Sequence, residues 1–534
     1  MQKKQVIFED NLTSELKKGV DKLSNAVKTT MGPKGKLVLI QRGDHHPIVT
    51  KDGVTVARSV NLKDDLQNMA VKVLKEAASR TADEAGDGTT TSTVIAQSIF
   101  NEGLKMKSAG YQVDLLKKGI ACAVDIVQKD LERQSKKISD DEELRQVALI
   151  SANGESDISS LIVDAIKSSG IDGSVIVEEA KGFSSSLTTV DGYRVERGYL
   201  SPYFVTNKEK MTCEFNNPLL LLADRSLSSI RDLMKILEMS LDAARPIIII
   251  ANDIDGEALQ GLVLNKTKGS LQVCGIKSPG FGASRHDLMI DLQAVVGGTI
   301  IDSTFDLNKF TLEDFGSAKK AIISRSSTML ISKSKTNESI QKRIESVKDR
   351  LKEPALEEPE RELLGYRLQQ LAGGISILRI GAATESELVE RFDRVDDALH
   401  ATRAALEEGI LPGGGIALVR AQQKLVKSAR KESDDDIRSG MLIVAKSLLE
   451  PFKQIIRNGN NSPEALLKEV MQKKSTIGYD ARLEKFGNMF DIGILDPHKV
   501  VRCALDNAAS AASMLLSIGC CLIDIENEPA LGDN

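Results

Sequence analysis

The sequence predicts a multidomain α+β and α/β chain, with a mainly helical domain assembled from both ends and an α/β domain inserted between them. Three observations lead there. The chain has 534 residues, several times the size of one domain, which sets an expectation of three or four folded units at roughly 150 residues each. Both ends carry apolar residues at three- and four-residue spacing, the period of a helix with one buried face. The middle instead carries two continuous apolar runs, Pro218–Ala223 (PLLLLA) and Pro246–Ala251 (PIIIIA), each followed by a helical pattern, which is how buried parallel strands read.

In chain order, Val6–Phe8 read as a strand, and Leu12, Leu16, Val20 and Leu23 as the buried stripe of the helix after it. Between residues 36 and 57 the apolar pieces Leu37–Ile40, Ile48–Val49 and Val54–Val56, the last set apart by Asp52-Gly53, predict strands joined by tight turns. Beyond residue 60 the period is helical to about residue 133, with Val94, Ile95, Ile99, Phe100 and Leu104 forming one apolar face behind Gly86-Asp87-Gly88. Ile340, Ile344, Val347 and Leu351 mark a long amphipathic helix, broken by Pro354 and resumed before Gly373-Gly374. From Gly413 the chain is again mostly helical, and the small residues of Ala504–Ser517 suit close helix packing.

Composition removes several function classes. With 41% hydrophobic and 28% charged residues the chain can both fold and stay soluble. Its 71 basic and 76 acidic residues leave no polyanion footprint, so no nucleic acid partner is expected. Aromatics are 4% with no Trp, so stacking platforms are scarce and aliphatic residues carry the core. The six cysteines form no C-x-x-C pair and read as buried thiols, not as a zinc site or a disulfide framework. Met1–Asp10 has no apolar signal core and no run reaches roughly 18 apolar residues, so no membrane partner and a cytoplasmic location are expected. There is no G-x-x-x-x-G-K-[ST], no G-x-G-x-x-G after a strand and no G-x-S-x-G, and the five histidines have no metal or triad spacing.

Gly86-Asp87-Gly88-Thr89-Thr90-Thr91 stands at a predicted helix N-terminus, where unpaired N–H groups, flexible glycines and three hydroxyls can together hold a polyphosphate. Asp87 there is the kind of single carboxylate that magnesium takes beside phosphate oxygens. Alone, the segment reads more plainly as a capped helix. Thr30-Met31-Gly32-Pro33, Lys51-Asp52-Gly53 and Pro412-Gly413-Gly414-Gly415 each read singly as turns. The triple glycine fits that least well, because three flexible residues cost entropy unless something must approach the backbone. Asp397, in Val395-Asp396-Asp397-Ala398-Leu399-His400, adds a carboxylate that alone reads as a helix charge.

Taken together, Thr30–Pro33, Lys51–Gly53, Gly86–Thr91, the run Asp397–Ala405 and Gly413–Gly415 closely resemble the ATP site of the group I (GroEL-like) chaperonins. Arg197–Phe204, Lys277–Gly282 and Gly487–Pro497 extend the resemblance over nearly the whole chain. It implies a GroEL-like architecture: an equatorial ATPase domain from residues 1–133 and 408–534, a small intermediate hinge domain from 134–190 and 375–407, and an apical α/β domain, 191–374, that binds unfolded protein.

The resemblance further implies an ATPase in which Asp52 and Asp397 orient and activate the hydrolytic water and Asp87 binds Mg2+, with K+ as a second candidate cation. The nucleotide cradle would be Thr30, Met31, Gly32, Pro33, Lys51, Asp87, Gly88, Thr89, Thr90 and Thr91, with Ile150, Gly414, Asp480, Ala481, Ile494 and Asp496 completing it. Asp397 lies on the intermediate segment, so closure of that domain would bring it to the phosphates and make hydrolysis a conformational timer. Tyr199, Tyr203, Phe204, Met234, Leu237, Leu259, Val263 and Leu264 would present an apolar groove to client chains, although by spacing alone Met234, Leu237, Leu259 and Val263 read as core. Implied partners are non-native proteins, a GroES-like co-chaperonin, and copies of this chain in a seven-membered ring, single or double. Asn458–Pro463 lacks the acidic residues the family carries at the ring-to-ring surface, and Ile525–Asn534 replaces a Gly/Met-rich ending. The resemblance also admits a nucleotide-regulated scaffold or binding protein of the same fold, with hydrolysis or encapsulation lost and folding activity reduced or absent.

Overall fold

The computed structural model describes residues 4–42, 45–152, 154–169, 175–180, 182–190, 192–208, 210–280, 282–332, 338–351, 358–372, 375–382 and 384–524; Ile525–Asn534 lies outside them. The chain forms two compact units, one of Met1–Val163, Lys181–Ser184 and Ile380–Asn534, the other of Asp164–Ala180 and Ser185–Arg379. The two ends therefore fold together, as their shared helical period predicts, and the middle folds by itself. The segments expected as a hinge domain, 134–190 and 375–407, are divided between the two units.

The first unit is built on helices whose apolar stripes meet in one core. Leu12, Leu16, Val20 and Leu23 of the Glu9–Val27 helix are at most 2% exposed, and burying each such side chain contributes about 1.5–3 kcal/mol. They join residues of the helices Asp65–Ala85, Thr89–Ser108, Val113–Gln134, Ile416–Ala429, Asp435–Ser447 and His498–Leu516. The last of these packs on the Thr89–Ser108 and Asp65–Ala85 helices, with Ala504, Ala508 and Ala512 fully buried at the contacts. Two small ribbons flank this core. Lys4–Phe8 pairs antiparallel with Cys520–Asp524, and Val38–Arg42 with His45–Thr50.

One predicted strand is instead a helix. Val54–Val56 belong to the short helix Gly53–Ser59 because Asp52 caps it, its carboxylate accepting the N–H groups of Val54 at 2.9 Å and Thr55 at 2.6 Å. Satisfying two otherwise unpaired donors outweighs the strand preference of two valines and a threonine.

In the second unit the two apolar runs form the parallel strands expected of them. Leu219–Leu227 lies beside Ile247–Ile254, which lies beside Val273–Lys277, while Ile300–Ile301 adds parallel on the far side. Leu219–Ala223 and Ile247–Ala251 are all at most 2% exposed, covered by helices that include Ile230–Asp242, Gly256–Thr267 and Ala283–Val296. A four-stranded antiparallel sheet, in the order Gly192–Val195, Thr328–Ile331, Lys320–Ile323, Cys213–Asn216, completes the core. The amphipathic pair expected around Pro354 is present as Glu338–Leu351 and Glu358–Ala372.

Candidate nucleotide site

The Asp65–Ala85 helix ends at Gly86, whose φ of +74° turns the chain while its N–H still reaches the Ala82 carbonyl at 2.8 Å. Asp87 follows, its carboxylate taking the N–H of Gly88, and Gly88 at φ +91° opens the Thr89–Ser108 helix without a side-chain cap. The N–H groups of that helix's first turn are thus left for an outside acceptor. The hydroxyl of Thr89, a residue only 4% exposed, has no hydrogen-bond partner among the described residues, and neither has that of Ser92. A buried hydroxyl left unpaired costs about 1–3 kcal/mol, so this helix start is incomplete without a ligand that can accept from it.

The Lys51-Asp52-Gly53 turn closes on the same place. A Cβ on Gly53 would stand 2.2 Å from Thr90 Oγ1, so only glycine lets the Asp52 cap approach the Thr89–Ser108 helix this closely. Asp397 comes from the long Glu385–Glu408 helix. On that helix Asp393, Asp397 and His400 lie on one stripe, at i, i+4 and i+7. His400 Cβ is 2.0 Å from where a Gly86 Cβ would be, which sets this stripe against the Asp87 loop.

The carboxylates so gathered disfavour one another's charge. Burial, then Asp87, Asp52, Asp396 and Asp393, hold the Asp397 carboxyl well above its usual range. Burial and Asp52 likewise raise Asp87, against the opposing Gly88 N–H and His400. Asp393 is pushed up to about 6 by burial and by Asp52, Asp396 and Glu390. Lys51 is lowered by burial and by the cations Arg394 and Arg482; Arg394 is itself paired with Glu155 and Glu390. Like charges collected in one partly buried place are unfavourable without a cation between them.

The triple-glycine loop follows the strand Ile410–Pro412, which pairs antiparallel with Leu495–Pro497 and sets Leu411 opposite Asp496. Asp496 accepts the N–H groups of Gly414 and Gly415, yet burial and the nearby Asp87 raise it to about 6. Ala481 is buried in a small apolar cluster with Ile416, Tyr479 and Met489, against which Ile494 packs. Asp480 turns away into its own loop, accepting from the N–H groups of Arg482 at 2.8 Å and Leu483 at 3.0 Å. Ile150 is 38% exposed on the Asp141–Ser151 helix. Gln146 of that helix lies 3.0 Å from where a Cβ on Gly493 would be, so Ile150 stands one turn beyond the loop that carries Ile494.

The Thr30 loop is held from behind. Thr30, 5% exposed, donates its hydroxyl to the Val27 carbonyl at 2.9 Å, and Asn458 Nδ2 donates to the carbonyls of Lys28 at 2.9 Å and Met31 at 2.8 Å. Gly32 has φ of +81° above Ile455, before Pro33. Asp393 and the Gly86–His400 contact were not singled out from the sequence, and Asn458 was read only as part of a ring-surface segment. The four-residue spacing of Asp393 from Asp397 was the only available signal.

No group of three or more His, Cys, Asp or Glu among the described residues is arranged as a metal cage. That suits magnesium, which takes one or two carboxylates and leaves the other positions to water and phosphate oxygens. The mutually raised carboxylates and the orphaned Thr89 hydroxyl fit a Mg2+–polyphosphate ligand.

In the second unit, the helices Ile230–Asp242 and Gly256–Thr267 pack side by side, with Ile230 2.8 Å from where a Cβ on Gly261 would be. Met234 (52%), Leu264 (53%) and Tyr203 (71%) are exposed, and Leu259 and Val263 are half-buried. Tyr199, Phe204 and Leu237 are buried at 9%, 0% and 7% and belong to the core. Of the eight residues expected to form a groove, five are therefore exposed or half-buried and three are core: Leu237 on the inner face of the Ile230–Asp242 helix, and Tyr199 and Phe204 outside the two helices. No helix among the described residues is long and apolar enough to cross a membrane.

The fold has close counterparts. The chaperonin gp146 from the bacteriophage EL 2 (Pseudomonas aeruginosa), crystallised in the presence of ATP-BeFx, superposes with a TM-score of 0.71 at 22% identity, covering 98% of this chain and 99% of that one. A second crystal form of gp146 gives a TM-score of 0.64 at 21% identity over the same shares. Residues 23–525 match the sequence model of the TCP-1/cpn60 chaperonins, and the chain belongs to the TCP-1/cpn60 chaperonin family.

Proposed function

We propose that this chain is an ATP-hydrolysing chaperonin subunit that binds non-native proteins at its apolar apical surface and works in a cytoplasmic ring of like subunits. The observation that carries this reading is the convergence of Asp397, Asp87 and Asp52 on an uncapped helix start whose Thr89 hydroxyl has no partner among the described residues.

In this reading the Thr89–Thr91 N–H groups and the Thr30 loop bind the phosphates. Asp87 would hold Mg2+, which would supply positive charge to neutralise the phosphates. Gly414, Ile494 and Asp496 face the nucleoside, beside Ala481. Asp397 orients a water on the γ-phosphorus and takes its proton as the bond to the β-phosphate oxygen breaks and ADP leaves. A carboxylate with raised proton affinity is the better acceptor. Asp52, fixed as a helix cap, positions the water from the other side. The surrounding carboxylates disfavour a charged Asp397, and a cation entering with the nucleotide would offset them, which ties hydrolysis to loading of the site.

Supporting a client surface are the exposed Met234, Leu264 and Tyr203 over the half-buried Leu259 and Val263. Supporting assembly are the two ribbons, with Leu39 and Val49 exposed on one and Val6 and Leu522 on the other. A seven-membered ring, single or double, with a GroES-like co-chaperonin completes the proposal.

The test is Asp397→Asn. ATP binding retained with hydrolysis reduced at least about a hundredfold, the usual scale for loss of a general base, is the expected result. Unchanged turnover would remove the role assigned to Asp397. Native mass spectrometry with and without ATP tests the ring, and a monomer under every condition would favour a nucleotide-regulated scaffold instead.

A further inference from the structure

Two cysteines lie together in the second unit. Cys213 opens Cys213–Asn216, the edge strand of the four-stranded antiparallel sheet, and Cys274 lies in Val273–Lys277, the edge strand of the parallel sheet. Their sulfurs are 3.9 Å apart, with the Cys274 thiol donating to Cys213, and both residues are 0% exposed. The segment before Ser201 runs between the two sheets, the Tyr199 N–H reaching the Ser324 carbonyl at 3.1 Å and the Leu200 N–H the Gly275 carbonyl at 2.9 Å.

The two thiols differ in character. Cys213 receives the Cys274 S–H and the Thr206 N–H and feels the Lys266 charge, all of which favour its thiolate. Cys274 is held well above the ordinary thiol range by burial and by its neighbour. One sulfur is set up to attack and the other to keep its proton until a second step. The 3.9 Å between the sulfurs would close to a bond of about 2 Å.

We propose that Cys213 and Cys274 are an oxidisable pair that closes into a disulfide joining the two sheets of this unit when the protein meets a peroxide. The Cys213 thiolate attacks one peroxide oxygen, the O–O bond breaks, and the departing hydroxide takes a proton to leave as water, giving a sulfenic acid. The Cys274 sulfur then attacks the Cys213 sulfur. Its proton goes to the departing hydroxyl, a second water leaves, and two thiols have been oxidised by one peroxide. The bond would link strands 61 residues apart in sequence and fix the frame beneath the Gly256–Thr267 helix. This inference stands apart from the ATPase reading.

The experiment treats the reduced full-length protein with hydrogen peroxide, alkylates the remaining thiols under denaturing conditions and maps the digest by mass spectrometry. The expected product joins the Cys213 and Cys274 peptides, is two hydrogens lighter than the reduced pair, and disappears on reduction; in Cys274→Ser, Cys213 should accumulate as a sulfenic acid trapped by dimedone. Should that variant fail to fold, the wild-type map decides alone. Full alkylation of both residues after peroxide has oxidised the exposed Cys122 and Cys520, or oxygen added to Cys213 without a link to Cys274, would overturn the proposal.

Discussion

His400 Cβ lies 2.0 Å from where a Cβ on Gly86 would be, although the two residues are far apart in sequence. The Asp397 helix therefore rests on bare backbone at the turn that presents Asp87. Gly86 also sits at φ +74°, a conformation that costs other L-residues roughly 1–2 kcal/mol.

Gly86→Ala should therefore lift this helix away from the Asp87 loop. In the proposed reaction, turnover is expected to fall at least about tenfold, or about 1.4 kcal/mol in the barrier, with nucleotide affinity changing less because Asp397 does not hold the ground state. Steady-state ATPase and equilibrium nucleotide binding separate the two. Equal losses in both would mean that the contact supports the fold and not the approach of Asp397.

The raised carboxylates predict an unusual pH response in the nucleotide-free protein. Asp496 shifts from 3.8 to about 6, so between those values the folded chain binds more protons than the unfolded one. Its contribution to stability is then present at low pH and is lost as pH rises through about 6, by at most about 3 kcal/mol. Asp393 acts in the same direction over the same window. His498, lowered by burial, opposes them as pH falls below 6.5, so a variant comparison is the cleaner readout. Asp496→Asn keeps an acceptor for Gly414 and Gly415, and should raise the Tm near pH 7.5 more than near pH 5. An equal effect at both pH values would contradict the shift.

Much of this architecture was legible because it follows from period and continuity. PLLLLA and PIIIIA could only be buried strands or a buried helix, and the flanking prolines and shortness favoured strands. Leu12, Leu16, Val20 and Leu23 revealed a helix because one face had to be dry. What stayed hidden depends on partners distant in sequence. Val54–Val56 looked like a strand because the Asp52 cap is a matter of geometry. Leu237 and Met234 carried the same helical signal, yet one is core and the other surface, since period reports a face and not what covers it. The site motifs were readable only as a set, because each turn alone has a sufficient conformational explanation.

In the second unit, Asp291 is fully buried, accepting from Arg367 Nε at 2.7 Å and Nη2 at 3.1 Å and from Arg343 Nε at 2.5 Å. Arg367, itself 2% exposed, also reaches Asp287 at 3.0 Å. Arg367→Ala would leave one buried carboxylate short of its main partner, which typically costs about 3–5 kcal/mol. Arg343 remains, so the lower end is expected, read as a shift in the denaturant midpoint. Pairing Arg367→Met with Asp291→Leu should recover most of the loss, since removing both charges also removes their desolvation. A loss below about 1 kcal/mol from Arg367→Ala would show that the pair sets geometry and not stability.

The exposed ribbons bear on assembly. Leu39 and Val49 are a cross-strand pair, 69% and 49% exposed, beside Leu37 at 59%. On the ribbon formed by the two chain ends, Val6 and Leu522 are likewise a pair, 48% and 53% exposed, with Phe8 at 69%. A two-stranded ribbon is marginal alone, and its unpaired edges and apolar face suit addition to another sheet. If the two ribbons meet between neighbouring subunits, each subunit contributes both halves of a repeated contact. Leu39→Asp should then reduce the assembled fraction sharply in native mass spectrometry, because one unfavourable charge recurs at every junction. Within a single subunit the same change falls at an exposed site and should cost no more than about 0.5 kcal/mol. Circular dichroism and the unfolding midpoint of dissociated protein should therefore match the wild type. Assembly at wild-type concentration dependence would show that this hairpin lies outside the contact.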